Sequence, residues 1–334
     1  MNDILLDVKC LKKYYKVPKG ILHAVDGVSF SIEKGKTLGI VGESGCGKTT
    51  VGRAILRLVE PTDGSVIFDG IDILKLNKKE MRNMRKEMQL IFQDPFSSLN
   101  PRKTIAQTIE EPIILANMIP DKDKRFMRVI ELMEIVGLAE RLINTYPHEL
   151  DGGRRQRIGI ARALAVNPRF IICDEPVSAL DVSIQAQILN LMKKIQREND
   201  LTYIFITHDL SVVNHFSDDI AVMYLGRLVE KAPSEELFLN PVHPYTQALL
   251  SAIPVPRIHN RPKRILLRGE IKSPINPGSG CRFANRCNYA EPVCSQEEPV
   301  LGEIEPNHFV SCHFCHNFNK GRQNVPLPKV CAEG

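Results

Sequence analysis

The chain has 334 residues, 44 Lys plus Arg against 39 Asp plus Glu, and a formal charge of +5. At roughly 100–200 residues per domain this length implies about two domains with ample core, and 43% hydrophobic with 25% charged residues excludes collagen-like, disordered and disulfide-scaffold chains. The basic excess is small, which is weak evidence for a nucleic-acid partner. No apolar run approaches the ~18–20 residues of a membrane span, and the opening Met-Asn-Asp-Ile-Leu-Leu-Asp lacks the regions of a signal peptide. The expectation is a cytosolic chain, where disulfides are rare and grouped cysteines bind metal, catalyse or stay free.

In chain order, the apolar run Thr37–Val41 predicts a buried strand and 48–59 a helix. Residues 75–86 are rich in Lys and Arg without interleaved aromatics and read as a solvated helix face. A mostly helical insertion over about 94–145 contains the periodic stretch 125–136. The run 170–173 is strand-like, Ile184, Ile188, Leu191 and Ile195 recur at helical spacing, and 201–207 is strand-like again. Such alternation predicts an α/β fold with a parallel sheet covered by helices. Composition shifts near 233: 13 of the 22 prolines lie from Pro233 onward, Asp is absent after Asp219, and six of the nine cysteines fall in the last 54 residues. The predicted division is 1–232 for the main domain and 233–334 for a small Cys/Pro-rich one.

Gly42-Glu43-Ser44-Gly45-Cys46-Gly47-Lys48-Thr49 follows a strand and opens a helix, the context of a P-loop. Glycines let backbone N–H groups turn in around a phosphate. The helix N-terminus adds positive potential, Lys48 reaches the β/γ oxygens, and Thr49, with Thr50 beside it, ligates Mg²⁺. Downstream, the 170–173 strand runs into Asp174-Glu175. A carboxylate at that strand end serves the Mg²⁺ shell through Asp174, and Glu175 polarises a water attacking the γ-phosphate. The 203–207 run delivers His208, whose imidazole can bond the γ-phosphate or that water.

With these motifs in place, about residues 5–232 resemble the nucleotide-binding subunits of ABC transporters. Leu150-Asp151-Gly152-Gly153-Arg154-Arg155-Gln156-Arg157 sits where that family carries Leu-Ser-Gly-Gly-Gln, followed by Ala161-Arg162-Ala163-Leu164 and Asp174-Glu175-Pro176. The resemblance implies a RecA-like P-loop NTPase core with an antiparallel β edge and a helical subdomain. It makes Gln93 the Q-loop residue that senses Mg²⁺ and water, Asp181 the D-loop aspartate, and Tyr15 the aromatic that stacks on adenine. Phe92-Gln93-Asp94-Pro95-Phe96-Ser97-Ser98-Leu99-Asn100-Pro101 and Asn240-Pro241-Val242-His243-Pro244-Tyr245 resemble the oligopeptide/dipeptide importer ATPases, whose nearest relatives handle nickel, and 52–58 the F-type subunit. The implied partners are a D-type ATPase in a heterodimer, two transmembrane permeases docked about 94–118, and an extracytoplasmic peptide-binding protein. The implied place is the cytoplasmic face of the membrane. Alternatives are an importer of nickel or another solute, a soluble non-transport ABC ATPase, and a regulatory ATP-binding module.

Two signature positions depart from that family. Asp151 stands for Ser and Arg154 for Gln. In the family's ATP sandwich the signature covers the partner's γ-phosphate. A carboxylate there costs up to roughly 4 kcal/mol at ~4 Å and an effective dielectric of about 20, less whatever Arg154 neutralises. The expectation is one competent site, using this chain's P-loop, and one weakened site, using its signature; the alternative has Asp151 pointing away.

Cys281, Cys287, Cys294 and Cys312 follow one another with five, six and seventeen residues between them, and Cys315 and Cys331 lie beyond. Four thiolates suit tetrahedral Zn²⁺ or a [4Fe–4S] cluster. The wide spacing fits a cluster better than a zinc ribbon, and the resemblance to peptide-importer ATPases points the same way; zinc and free thiols remain alternatives. Cys46 and Cys173 are expected to be packing residues.

Overall fold

The computed structural model describes residues 3–253, 264–270 and 273–315. The chain divides into two units. One is built mainly from Asp72–Ile206, the other from Leu6–Ser31, Thr37–Ile71 and the described residues after Ile206.

In the first unit, strands Met88–Ile91, Phe170–Asp174 and Thr202–Thr207 run parallel, with Met88 opposite Phe170 and Phe170 opposite Thr202. Every residue of the latter two strands is buried, as continuous apolar runs covered on both faces require. The insertion is helical as expected, with helices Ile105–Leu115 and Lys122–Ile135 capped by Thr104 and Asp121. The basic 75–86 stretch becomes the helix Lys78–Glu87, in which Met81 alone is buried. Helix Val182–Asn199 buries Ile188, Met192 and Ile195 on one stripe.

In the second unit, strands Gly20–Glu33, Ile4–Val17, Asp63–Phe68 and Ile71–Asp72 form an antiparallel-edged sheet in that order. A second sheet section runs Gly302–Glu305, His308–Val310, Arg227–Pro233, Asp219–Tyr224 and Thr37–Val41. Thr37–Val41 is parallel to Asp219–Tyr224, whereas the Pro-rich C-terminal part contributes an antiparallel hairpin that pairs with Arg227–Pro233. The helix after Thr37–Val41 spans Lys48–Ile55 rather than 48–59. Arg57 turns into the left-handed region at φ +50°, and Leu58 N–H bonds back to Arg53 C=O at 2.8 Å, which ends the helix. No described helix is long and apolar enough to cross a membrane.

Candidate nucleotide site

The P-loop lies in the second unit, and its backbone explains its glycines. Gly42 has φ +153°, and a Cβ there would sit 2.2 Å from Met223 C=O; Gly47 has φ +103°, and a Cβ would sit 2.1 Å from Ala24 C=O. No L-residue with a side chain fits either place. Gly47 also caps helix Lys48–Ile55 without a side-chain hydrogen bond, so the capping residue brings no side chain to that helix start. Lys48 is buried, and its Nζ donates to Gly42 C=O at 2.8 Å and Glu43 C=O at 3.1 Å. Ser44 and Gly45 are exposed, and Thr49 and Thr50 half-buried. Cys46 is buried 3.8 Å from Lys48 Nζ, and burial pushes its thiol up in spite of that ammonium.

Glu43 is held from outside the loop. Its N–H donates to Tyr245 Oη at 2.9 Å, and its carboxylate takes a two-pronged bond from Arg286 at 2.7 and 3.1 Å. Behind Tyr245, buried His243 accepts from Tyr245 N–H through Nδ1 at 3.1 Å. Burial pushes the His243 imidazole down to about 4, against the pull of Glu230. The adjacent tyrosines differ in their contacts. Tyr14 donates to Asp26 at 2.5 Å and stacks on His23, whereas Tyr15 makes no such bond and lies under Lys13 Nζ, 4.8 Å from its ring centroid. Asp26 also binds Arg282 and His23. Burial opposes its ionisation, yet bonds from Tyr14 and His23 and the charges of Arg227 and Arg282 hold its carboxyl down at about 2. His208 is exposed just after Thr207.

The first unit carries the carboxylates. Asp174 is buried at the end of its strand. Glu175 follows at φ +46°, a left-handed conformation disfavoured for its side chain, and its N–H is pinned by Ile206 C=O at 2.8 Å. Gln93 Nε2 donates to Glu175 Oε2 at 3.0 Å, so these two predicted residues are brought together. In the signature, Asp151 caps helix Gly152–Leu164: Oδ1 accepts from Arg154 N–H at 2.8 Å, and Oδ2 lies 3.4 Å from Arg154 Nε. A Cβ on Gly152 would meet Leu180 at 3.0 Å and one on Gly153 would meet Ile184 at 2.7 Å, so the signature glycines back onto the D-loop region. Asp181 is exposed at the start of Val182–Asn199 and makes no capping bond.

Cys281, Cys287, Cys294 and Cys312 line one small cavity with Phe283 and Phe314. Tyr289 N–H donates to Cys287 Sγ and Phe314 N–H to Cys312 Sγ, both at 3.4 Å, so each sulfur faces the amide two residues on. Burial pushes the thiols of Cys281 and Cys312 up to about 11 and 12. Among the described residues no three of these sulfurs come within 4.8 Å of one another. Cys315 packs with Val242 and Val310, and Cys331 lies outside the described residues. Two residues between the first two of the four cysteines escape motif reading: Arg282, which reaches Asp26, Leu225 C=O and Glu298, and Arg286, which reaches Glu43. Their acidic partners lie 256 and 243 positions away, and the only sequence signal is two cations flanked by thiols.

Residues 25–178 match the family described as ABC transporter, and residues 229–294 match the oligopeptide/dipeptide transporter C-terminal region. The chain is 52% identical to the oligopeptide transport ATP-binding protein AppF of Bacillus subtilis (strain 168), over 94% of this chain and 98% of that one. It is 50% identical to the oligopeptide transport ATP-binding protein OppF of the same strain, over 93% and 97%. A solved dimeric post-hydrolysis state of the ATP-binding cassette MJ0796, bound to ADP and Pi, is similar at a TM-score of 0.64 and 32% identity, over 69% of this chain and 98% of that one. The expected mixed α/β fold with a P-loop NTPase core is therefore that of an ABC cassette. The chain belongs to the oligopeptide transport ATP-binding proteins, the ATP-hydrolysing subunits of ABC transporters.

Proposed function

We propose that this chain powers the import of di- and oligopeptides as the F-type member of an ATPase heterodimer at the cytoplasmic face of the membrane. Beyond the family itself, the observation that carries the reading is the Gln93–Glu175 bond: a general base fixed by the residue that senses the nucleotide's water. In this reading ATP is the substrate and Mg²⁺ its counter-ion, held by Thr49, Asp174 and Gln93, all oxygen donors of the kind Mg²⁺ prefers. Lys48 exchanges its loop carbonyls for phosphate oxygens, Glu175 takes the proton of the attacking water, and His208 orients the γ-phosphate. Tyr15 stacks on adenine, which its lack of a phenol bond like that of Tyr14 supports.

Two permeases and an extracytoplasmic binding protein complete the importer, and the Q-loop flank of 94–118 receives the permeases. Exposed Phe96, Ile114, Leu115 and Met118 support that surface. The D-type partner supplies an intact signature to this chain's P-loop, whereas Asp151 covers the partner's nucleotide and weakens that site. ATP turnover and peptide uptake of the assembled transporter, measured after Glu175→Gln here and after the matching change in the partner, test this. A large loss from the first change and a small one from the second is expected, and equal losses overturn the asymmetry. Uptake that is unchanged when this chain is deleted overturns the transport reading.

Residues 233–334 form the importer-type extension, and Cys281, Cys287, Cys294 and Cys312 hold a [4Fe–4S] cluster. A zinc tetrahedron draws its sulfurs to about 3.8 Å from one another, given Zn–S near 2.3 Å. A shared cavity without such convergence, and amide N–H groups aimed at the sulfurs, suit the larger group. Protein purified without oxygen should absorb near 400 nm with matching iron and sulfide. Colourless, metal-free, folded protein overturns the assignment.

A further inference from the structure

A second cluster of donor atoms stands apart from the P-loop and from the four thiols. Glu236, in helix Ser234–Leu239, and Glu305 and His308, on the two strands of the C-terminal hairpin, each place one donor atom so that all three lie within 4.8 Å of one another. Among the described residues no other trio of His, Cys, Asp or Glu donors does so.

The histidine in this trio is prepared in an unusual way. His308 is 1% exposed, and its Nε2 lies 2.8 Å from Oε1 of Glu230, itself fully buried. Glu230 already accepts the N–H groups of Val242 at 2.8 Å and His243 at 3.0 Å, one on each oxygen. A carboxylate used that way is an acceptor, so in the neutral ring His308 donates through Nε2 and carries its lone pair at Nδ1. Nδ1 is buried and has no hydrogen-bond partner among the described residues. Buried polar atoms without partners are rare and call for an explanation. A carboxylate behind one ring nitrogen and a bare lone pair on the other is the arrangement that orients metal-ligating histidines. The two carboxylates that share the trio supply negative charge, one of them, Glu236, also accepting from Asn240 Nδ2 at 3.0 Å.

We propose that Glu236, Glu305 and His308 bind a single first-row divalent cation of the Zn²⁺ type, with Glu230 as the buried partner that fixes the imidazole. One nitrogen and two carboxylate oxygens favour such a metal over Mg²⁺ and Ca²⁺, which prefer all-oxygen shells, and leave a fourth position for water. The ion ties the helix that follows strand Arg227–Pro233 to the hairpin that pairs with that strand. It depends neither on nucleotide nor on the four thiols.

The test uses the full chain freed of metal with a chelator and titrated with Co²⁺, read by visible absorption, then displaced with Zn²⁺. One equivalent giving d–d bands without sulfur-to-metal charge transfer is expected. Affinity for it should fall roughly 10–100-fold or more in Glu236→Gln/Glu305→Gln, and persist in Cys281→Ser/Cys312→Ser. Circular dichroism establishes that the glutamine variant is folded; if it is not, the single Glu236→Gln is read instead, since its side chain is only half-buried. Cobalt bands of thiolate character alone, or equal d–d uptake by parent and glutamine variants, overturn the site.

Discussion

Two segments of this chain place glycines at the start of a helix, and they treat that helix start in opposite ways. At the P-loop, Gly47 caps helix Lys48–Ile55 with no side chain, leaving the N-terminal amides to an incoming anion. At the signature, the Asp151 carboxylate already occupies the start of Gly152–Leu164 and accepts from Arg154 N–H. The first helix is built to take a phosphate; the second carries its own anion. A serine at 151 would cap equally well and leave no charge behind. What separates the two helix ends is thus the capping residue: a glycine without a side chain at one, an aspartate that brings both an acceptor and a charge at the other.

The largest expected effect tests whether the receptive end is the productive one. Glu175→Gln should lower ATP turnover of the assembled transporter by roughly 10²–10⁴-fold, the range for a lost general base, with a far smaller loss from the matching change in the partner.

Next comes acid. His243 is held at about 4 against about 6.5 when unfolded. Between these values the unfolded chain binds the extra proton, so stability is whole above about 6.5 and falls as pH drops through the window, by about 3 kcal/mol at its foot. Since His243 supports Tyr245, and Tyr245 supports Glu43, ATP binding should fail over the same window. Chemical denaturation from pH 7 to 4 checks this, and His243→Gln should flatten the curve.

Removing the Arg286 clamp is smaller. Arg286→Ala should cost about 2 kcal/mol, the scale of a lost hydrogen bond to a charged group, and weaken ATP binding; a thermal melt with and without ATP separates the two effects. Last, Asp151→Ser should strengthen ATP-driven closure by about 1 kcal/mol, because an exposed like-charge contact is screened. The gain should disappear when the partner's own P-loop lysine is changed. If Asp151→Ser changes nothing, the contrast between the two helix ends has no functional weight.

Much of the nucleotide machinery was legible because its constraints are local. Gly42 and Gly47 are required by backbone geometry within one loop, and Asp174-Glu175 follows directly from an apolar strand. The different bonding of Tyr14 and Tyr15 depends on Asp26 and His23, which sit elsewhere in the chain. Arg282 and Arg286 were unreadable for the same reason: an ion pair spanning more than 240 positions leaves no periodicity and no spacing. Glu230 with His308 is a second case, a buried pair whose meaning comes only from the strand pairing that joins them.

The left-handed backbone at Glu175 carries a cost in thermal margin. A residue held at φ +46° destabilises the fold by about 1 kcal/mol whatever charge its side chain bears, so Glu175→Gln inherits that penalty unchanged. Asparagine tolerates the left-handed region better, and Glu175→Asn should melt higher than the parent while hydrolysing almost nothing. The melting difference between parent and Glu175→Asn thus reads the thermal margin that a left-handed glutamate costs this fold.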